Sequence, residues 1–214
     1  VRLIALSVLA VGLVSARDLN EVLGSVQRRY NRASTLEAGF EQSYQAPGRA
    51  RRVESGKLTL RKPGRMRWEY ASPQGKLFVS DGKWLWFYSP SAGRAEKSRL
   101  KETEDMRAPL AFLLGKLDFK RDFSEFTLKD EGRDVVITAL PKTDRVPYTR
   151  VEFTVTPDNE IRRLVVAGTD RSVMEFRFTA ERLNPALSDA LFRYKAPDGV
   201  PVIEVTRPGE EEER

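Results

Sequence analysis

Gly56-Lys57-Leu58-Thr59-Leu60-Arg61-Lys62-Pro63-Gly64-Arg65-Met66-Arg67-Trp68-Glu69-Tyr70 is the stretch that decides the fold class. Leu58 and Leu60 alternate with Lys57, Thr59 and Arg61, Pro63-Gly64 turns the chain, and Met66, Trp68 and Tyr70 then alternate with Arg65, Arg67 and Glu69. Successive side chains of a strand point to opposite faces, so each run reads as a half-buried strand with one oily and one charged face. Pro followed by Gly supplies the turn between them.

Working outward, Asp81-Gly82 lies between Lys76 to Ser80 and Lys83 to Tyr88, which predicts a two-residue hairpin turn. The second arm, Trp84-Leu85-Trp86-Phe87-Tyr88, is apolar on both faces and needs cover on both, for which a helix on one side is the expectation. Upstream, Leu36, Ala38, Phe40, Gln42 and Tyr44 alternate with Glu37, Gly39, Glu41 and Ser43, a further strand ended by Pro47-Gly48. Before it, Leu19, Val22, Leu23, Val26 and Tyr30 recur at helical spacing, and Asp18 with Glu21 can form a capping box, so one amphipathic helix is predicted.

Downstream, Arg94 to Lys101 and the acidic stretch to Arg107 read as a charged connector, and Pro109 opens a brief apolar helix, Leu110-Ala111-Phe112-Leu113-Leu114, closed by Gly115. Strands are expected at Phe123 to Lys129, Val135 to Leu140, Tyr148 to Thr156, Ile161 to Ala167 and Ser172 to Phe178, with turns at Asp130 to Gly132, Pro157 to Asn159 and Gly168 to Asp170. Regular spacing of this kind argues for one curled antiparallel sheet. Its interior is either filled by its own side chains or left as a cavity for lipid, and periodicity alone favours the filled core.

Val1 to Ala16 carries one early charge, Arg2, an apolar run from Leu3 to Val14 and small residues at Ser15 and Ala16, so a secretory signal cleaved after Ala16 is expected. A membrane anchor would need about 20 apolar residues. Residues 17–206 then form a single domain, and Arg207 to Arg214 an acidic, disordered tail. The 214 residues contain no Cys, so neither a disulfide nor a lipidated Cys is available.

With no His and no Cys, the usual general base, thiol nucleophile and soft metal ligands are missing, and neither an enzyme nor a cofactor or metal site is expected. Glu102, Glu104 and Asp105 cluster, but charge runs are ordinarily solvated faces. The formal charge of +6 is spread along the strands among acids, and secretion makes nucleic acid the weakest candidate partner.

The opening stretch, followed by Ser72-Pro73 and by Val79-Ser80-Asp81-Gly82-Lys83-Trp84-Leu85-Trp86-Phe87-Tyr88, resembles the periplasmic outer-membrane lipoprotein carrier family, LolA. Phe40-Glu41-Gln42 is similar to the family's first strand, Pro109-Leu110-Ala111-Phe112-Leu113-Leu114 to its lid helix, and Leu191-Phe192 with Pro197-Asp198-Gly199-Val200 to its closing segment. The resemblance implies a mainly β fold with a few helices: an unclosed antiparallel β-barrel under a helical lid. It implies a monomeric periplasmic chaperone whose apolar cavity takes lipoprotein acyl chains from an inner-membrane lipoprotein-releasing ABC transporter and yields them to an outer-membrane acceptor such as LolB. The missing lipidated Cys separates the chain from LolB itself, and its single-domain length from sensors of the RseB kind. Phe40, Leu58, Leu60, Met66, Trp68, Tyr70, Phe112 and Leu113 are the expected cavity lining.

Where the best-known members carry an Arg that latches the lid through its carbonyls, this chain has Lys62, on the inward face shared by Leu58 and Leu60. A Lys offers rotatable donors in place of a rigid fork. A latch to the C-terminal end of the lid helix and an ordinary strand-end charge are both open readings. Two other functions also remain open: a periplasmic sensor or adaptor on the same fold, and a carrier of another lipid class.

Overall fold

The computed structural model describes residues 17–100 and 117–205. The expected signal, the lid helix with Phe112 and Leu113, the carboxylate cluster and the acidic tail lie outside the described residues.

Helix α1 spans Leu19–Arg32, and the Asp18 carboxylate accepts from the Glu21 N–H at 2.9 Å, satisfying one of the free donors of the first turn. It buries Leu23, Val26 and Tyr30. The chain then forms β1 (Thr35–Gln45), β2 (Arg52–Arg61), β3 (Arg65–Ser72), β4 (Leu77–Asp81), β5 (Trp84–Ser89) and β6 (Arg94–Arg99). After a short helix, α2 (Phe119–Asp122), come β7 (Phe123–Glu131), β8 (Asp134–Pro141), β9 (Tyr148–Val155), β10 (Ile161–Gly168), β11 (Val173–Leu183) and β12 (Val202–Glu204).

Among the described residues these strands make one twelve-stranded sheet in the order β12-β6-β5-β4-β3-β2-β1-β11-β10-β9-β8-β7. Neighbours are antiparallel except β12, which runs parallel to β6. The sheet curls so tightly that Trp68 of β3 and Phe176 of β11 meet edge to face at 5.7 Å although β2 and β1 lie between them. Flat strands would hold them about three spacings of 4.8 Å apart. Among the described residues no pairing closes β7 onto β12, and the sheet is open there.

The concave face is one hydrophobic core that includes Leu23, Val26 and Tyr30 of α1, and Leu117 and Phe119 ahead of β7. The convex face carries the charges as ion pairs, across strands for Lys57 and Arg182 on Glu37 and for Arg163 on Glu175, and along one strand for Arg177 on Glu175 and Arg150 on Glu152. The hydrogen bond from Lys57 holds the Glu37 carboxyl below its usual range, and that from Arg163 does the same for Glu175.

Four expectations need correction. The segment from Arg94 is a strand, not a connector, because Lys97 and Arg99 lay their cationic ends on the Trp84 ring, at 3.6 and 4.1 Å, where the alternation rule looks for apolar residues. The hairpin tip is Gly82-Lys83, with Gly82 at φ +99° and the Asp81 carboxylate accepting from the N–H groups of Lys83 and Trp84, both at 2.8 Å. β11 runs on to Leu183 through a bulge at Ala180, which sits at φ +50°.

The outer side of β5 is covered not by a helix but by the chain after β11. A turn of 3₁₀ helix at Asp189–Phe192 buries Phe192, and Tyr194 stacks on Trp86 at 6.1 Å. Val79 and Ala95 are fully buried on this side. Arg61 and Arg65 bind Asp189, and β12 ends the wrap by pairing with β6.

Candidate functional site

Alternation carries Leu36, Ala38 and Phe40 of β1, Leu58 and Leu60 of β2, Met66, Trp68 and Tyr70 of β3, and Phe78 of β4 onto the concave face in register. Phe40, Leu58, Leu60, Trp68 and Tyr70 are each at most 4 % exposed, and Met66 is half-buried against them. Phe40 meets Trp68 at 4.7 Å and Tyr70 at 5.1 Å, both edge to face. Such contacts follow the ring quadrupoles and tolerate sliding. The six expected lining residues within the described part of the chain therefore form one continuous apolar layer.

Helix α1 is fastened to the far half of the sheet. Glu181, its side chain 4 % exposed, accepts from Arg29 Nη2 at 2.6 Å and from the Tyr30 hydroxyl at 2.7 Å, while the same hydroxyl accepts from the Ile161 N–H at 2.9 Å. Burial, and then the Glu181 charge, push the Tyr30 phenol well above its ordinary range. The Asn31 amide pairs with the backbone of Leu117 through bonds of 2.7 and 2.8 Å, and Gln27 accepts from the Phe119 N–H at 3.1 Å.

Lys62 reaches the same helix from the opposite half. Its Nζ donates to the Tyr30 carbonyl at 2.6 Å, in the last turn of α1, where the aligned peptide dipoles favour a cation. Partial burial lowers the Lys62 ammonium from its usual value. The acceptor is thus on the first helix; the segment near Leu114 that was the expected acceptor lies outside the described residues. A space of about 10 Å³, room for about one water, remains beside this bond among Tyr30, Ala33, Leu36 and Leu60.

At the other end of the aromatic strands the concave face turns polar. The Tyr70 hydroxyl donates to Gln42 Oε1 at 3.2 Å, and Lys76 Nζ donates to Glu54 Oε2 at 2.5 Å while lying 4.3 Å from the Tyr70 ring centroid. A groove of about 820 Å³ lies on the outer side of these strands, lined by Gly39, Lys57, Arg67, Glu69 and Thr179 of the convex face and by the turn at Gln74, Gly75 and Lys76.

Sequence reasoning missed Glu181, Arg29, Asn31 and Gln27. Glu181 carries no period-two signal, because counting on from Phe176 and Phe178 puts it outside, and only the bulge at Ala180 returns it to the face of Leu183. Arg29, Asn31 and Gln27 lie off the apolar stripe of α1, which carries no signal for what a polar side chain will bond.

Among the described residues the geometry is thus an open barrel whose apolar concave face is roofed by a helix that polar bonds hold down. Residues 31–195 match the family described as outer membrane lipoprotein carrier protein LolA, and the chain belongs to that family. It is 28% identical over 203 residues to the outer-membrane lipoprotein carrier protein of Nitrosomonas europaea, covering 94% of this chain and 98% of that one. It is 29% identical over 210 residues to the protein of the same name in Azotobacter vinelandii, covering 95% and 98%. An uncharacterized conserved protein from Thermus thermophilus shares the fold, with a TM-score of 0.54 at 14% identity over 87% of this chain and 98% of the other. Among the described residues no helix is long and apolar enough to cross a membrane.

Proposed function

We propose that this protein is a periplasmic carrier that takes lipoprotein acyl chains onto the concave face of β1–β5 and moves lipoproteins from the inner to the outer membrane. In this reading an inner-membrane lipoprotein-releasing ABC transporter loads it, and an outer-membrane acceptor such as LolB unloads it. The observation that carries the reading is the placement of the roof. Helix α1 is anchored to β10, β11 and the strand-leading residues 117–119, while Lys62 spans from β2 to its last carbonyls. Parting that bond lets the aromatic strands move away from α1 without unfolding either half.

The energetics suit such a device. A buried methylene is worth about 0.8 kcal/mol, so a long acyl chain costs on the order of 10 kcal/mol to hold in water. An apolar face offsets most of that. The closed empty state must be marginal, since its stability subtracts directly from lipid affinity. A bond made by a flexible ammonium that burial already disfavours in its charged form is a weak closure of that kind.

Native mass spectrometry of the protein recovered from a periplasm tests the proposal. Adducts of lipoprotein mass support it. Adducts of small lipids alone would replace it with a carrier of another lipid class, and their complete absence with a sensor or adaptor on the same fold. In the same assay Met66→Glu is expected to lose the adducts while keeping the native circular dichroism, because it puts a charge on the half-buried edge of the layer.

A further inference from the structure

We infer that Gln42, Glu54, Tyr70 and Lys76 form a floor that sets the length of acyl chain the protein accepts, an inference that rests on the carrier reading above. On β1 to β3 the concave columns start apolar near Lys62 and end polar, the column of β4 runs from Ser80 through Phe78 to Lys76, and Tyr70 and Lys76 stand one pair above Gln42 and Glu54 with their polar ends bonded to them. Leu60, Leu58 and Gly56 lead to Glu54; Leu36, Ala38 and Phe40 to Gln42; Met66 and Trp68 to Tyr70; and Phe78 to Lys76. Leu60 to Glu54 is six residues of strand, about 20 Å of depth.

The polar row is not a demand of the sheet end. On the other side of β1 the same level stays apolar, with Phe176 paired to Gln42 and Met174 to Tyr44, and Val166 beyond them. The row is also complete in itself. Tyr70 bonds Gln42, Lys76 bonds Glu54, and the ammonium lies over the Tyr70 ring, with the Lys76 and Glu54 side chains only 14% and 20% exposed. A methyl terminus arriving here would have to part a charged pair that is largely withdrawn from water and offers it no apolar surface in return. Chain growth beyond this level therefore gains nothing.

The test compares full-length native protein with the double variant Glu54→Leu, Lys76→Met, using synthetic diacylated lipopeptides from dodecanoyl to eicosanoyl that displace a fluorescent fatty acid. In the native protein affinity should climb by about fourfold per methylene and then stop climbing. In the double variant the climb should continue for at least two methylenes more, an advantage of about tenfold or greater for the longest probe. The swapped pair Glu54→Lys, Lys76→Glu should restore the native break. Binding by the double variant with an unmoved break overturns the floor and leaves the carrier reading intact. Failure of the native protein to bind any of the lipopeptides overturns both. Should Glu54→Leu, Lys76→Met not fold, Gln42→Leu with Tyr70→Phe opens the same row from its other side, and an unmoved break there is equally decisive against the floor.

Discussion

The strands on the two sides of β1 build one concave surface from different materials. On β8 to β10 the inward residues are Val135, Ile137, Ala139, Val151, Phe153, Val155, Leu164 and Val166, none more than 1% exposed. On β2 to β5 they are Leu58, Leu60, Met66, Trp68, Tyr70, Phe78 and Phe87, with Ser80, Lys76 and Glu54 among them. β-Branched side chains are restricted at χ1, whereas Met, with three rotatable bonds, adapts to irregular space. The aliphatic half also holds α1. One half thus anchors the helix and the other is, in the proposed function, the surface that accepts a guest, and a single sheet supplies both because their strands are continuous through β1.

That division can be broken most forcefully at Phe153, which is fully buried and meets Phe119 at 5.3 Å and Phe123 at 6.0 Å. Phe153→Ala should destabilise the protein by about 3–5 kcal/mol in urea denaturation, because the rigid half cannot collapse onto the void. A loss below about 1 kcal/mol would show this half to be as adaptable as the other.

A smaller effect is expected at the clamp. Glu181→Ala leaves the Tyr30 hydroxyl and Arg29 without their carboxylate, which should cost about 2 kcal/mol, allowing for the partial exposure of Arg29. Hydrogen exchange should rise along α1 and not along β3. Equal acceleration in both would mean that α1 is not anchored selectively to the aliphatic half.

Alkali sharpens the comparison further. Burial, with repulsion from Asp122 second, raises the Tyr148 phenol to about 12. A phenol whose folded value is raised contributes stability that is fully present below its ordinary value near 10 and is lost as the pH rises from there through about 12. The native protein should lose roughly 2 kcal/mol from this group across that window, and Tyr148→Phe should flatten the slope by that amount in a series of unfolding curves. An unchanged slope would place Tyr148 in contact with water.

The smallest change in stability belongs to Lys62→Met. The lost bond to Tyr30 and the relieved burial of an ammonium oppose one another, so denaturation should shift by less than about 1 kcal/mol. Amide exchange of Ala33, whose N–H caps α1 on the Tyr30 carbonyl, should nevertheless quicken. Unchanged exchange would reduce Lys62 to a strand-end charge.

Much of this molecule was legible in its residues. Period-two alternation located β1 to β3, which present one face to oil and one to water, and the turn residues between apolar runs located β4, β5 and β7 to β10 to within a few residues. Asp18 announced α1, and the pattern around Met66 and Trp68 found the core of the site and the family. The misses have separate causes. β6 hid because cationic stems on an indole replace apolar residues, the end of β11 because a bulge reverses its faces, and β12 because three residues are too few to show a period.

The sequence by itself determined which residues turn inward, since the alternation of side chains across a strand is local geometry that no neighbour can change without a bulge. The tertiary structure alone decided what those residues meet. That Lys62 binds the last turn of α1, that Glu181 holds the same turn from the far side, and that Glu54 and Lys76 find each other across β3 all depend on how far the sheet curls. Curl is the sum of small twists over many paired strands, and no single segment of the chain carries it.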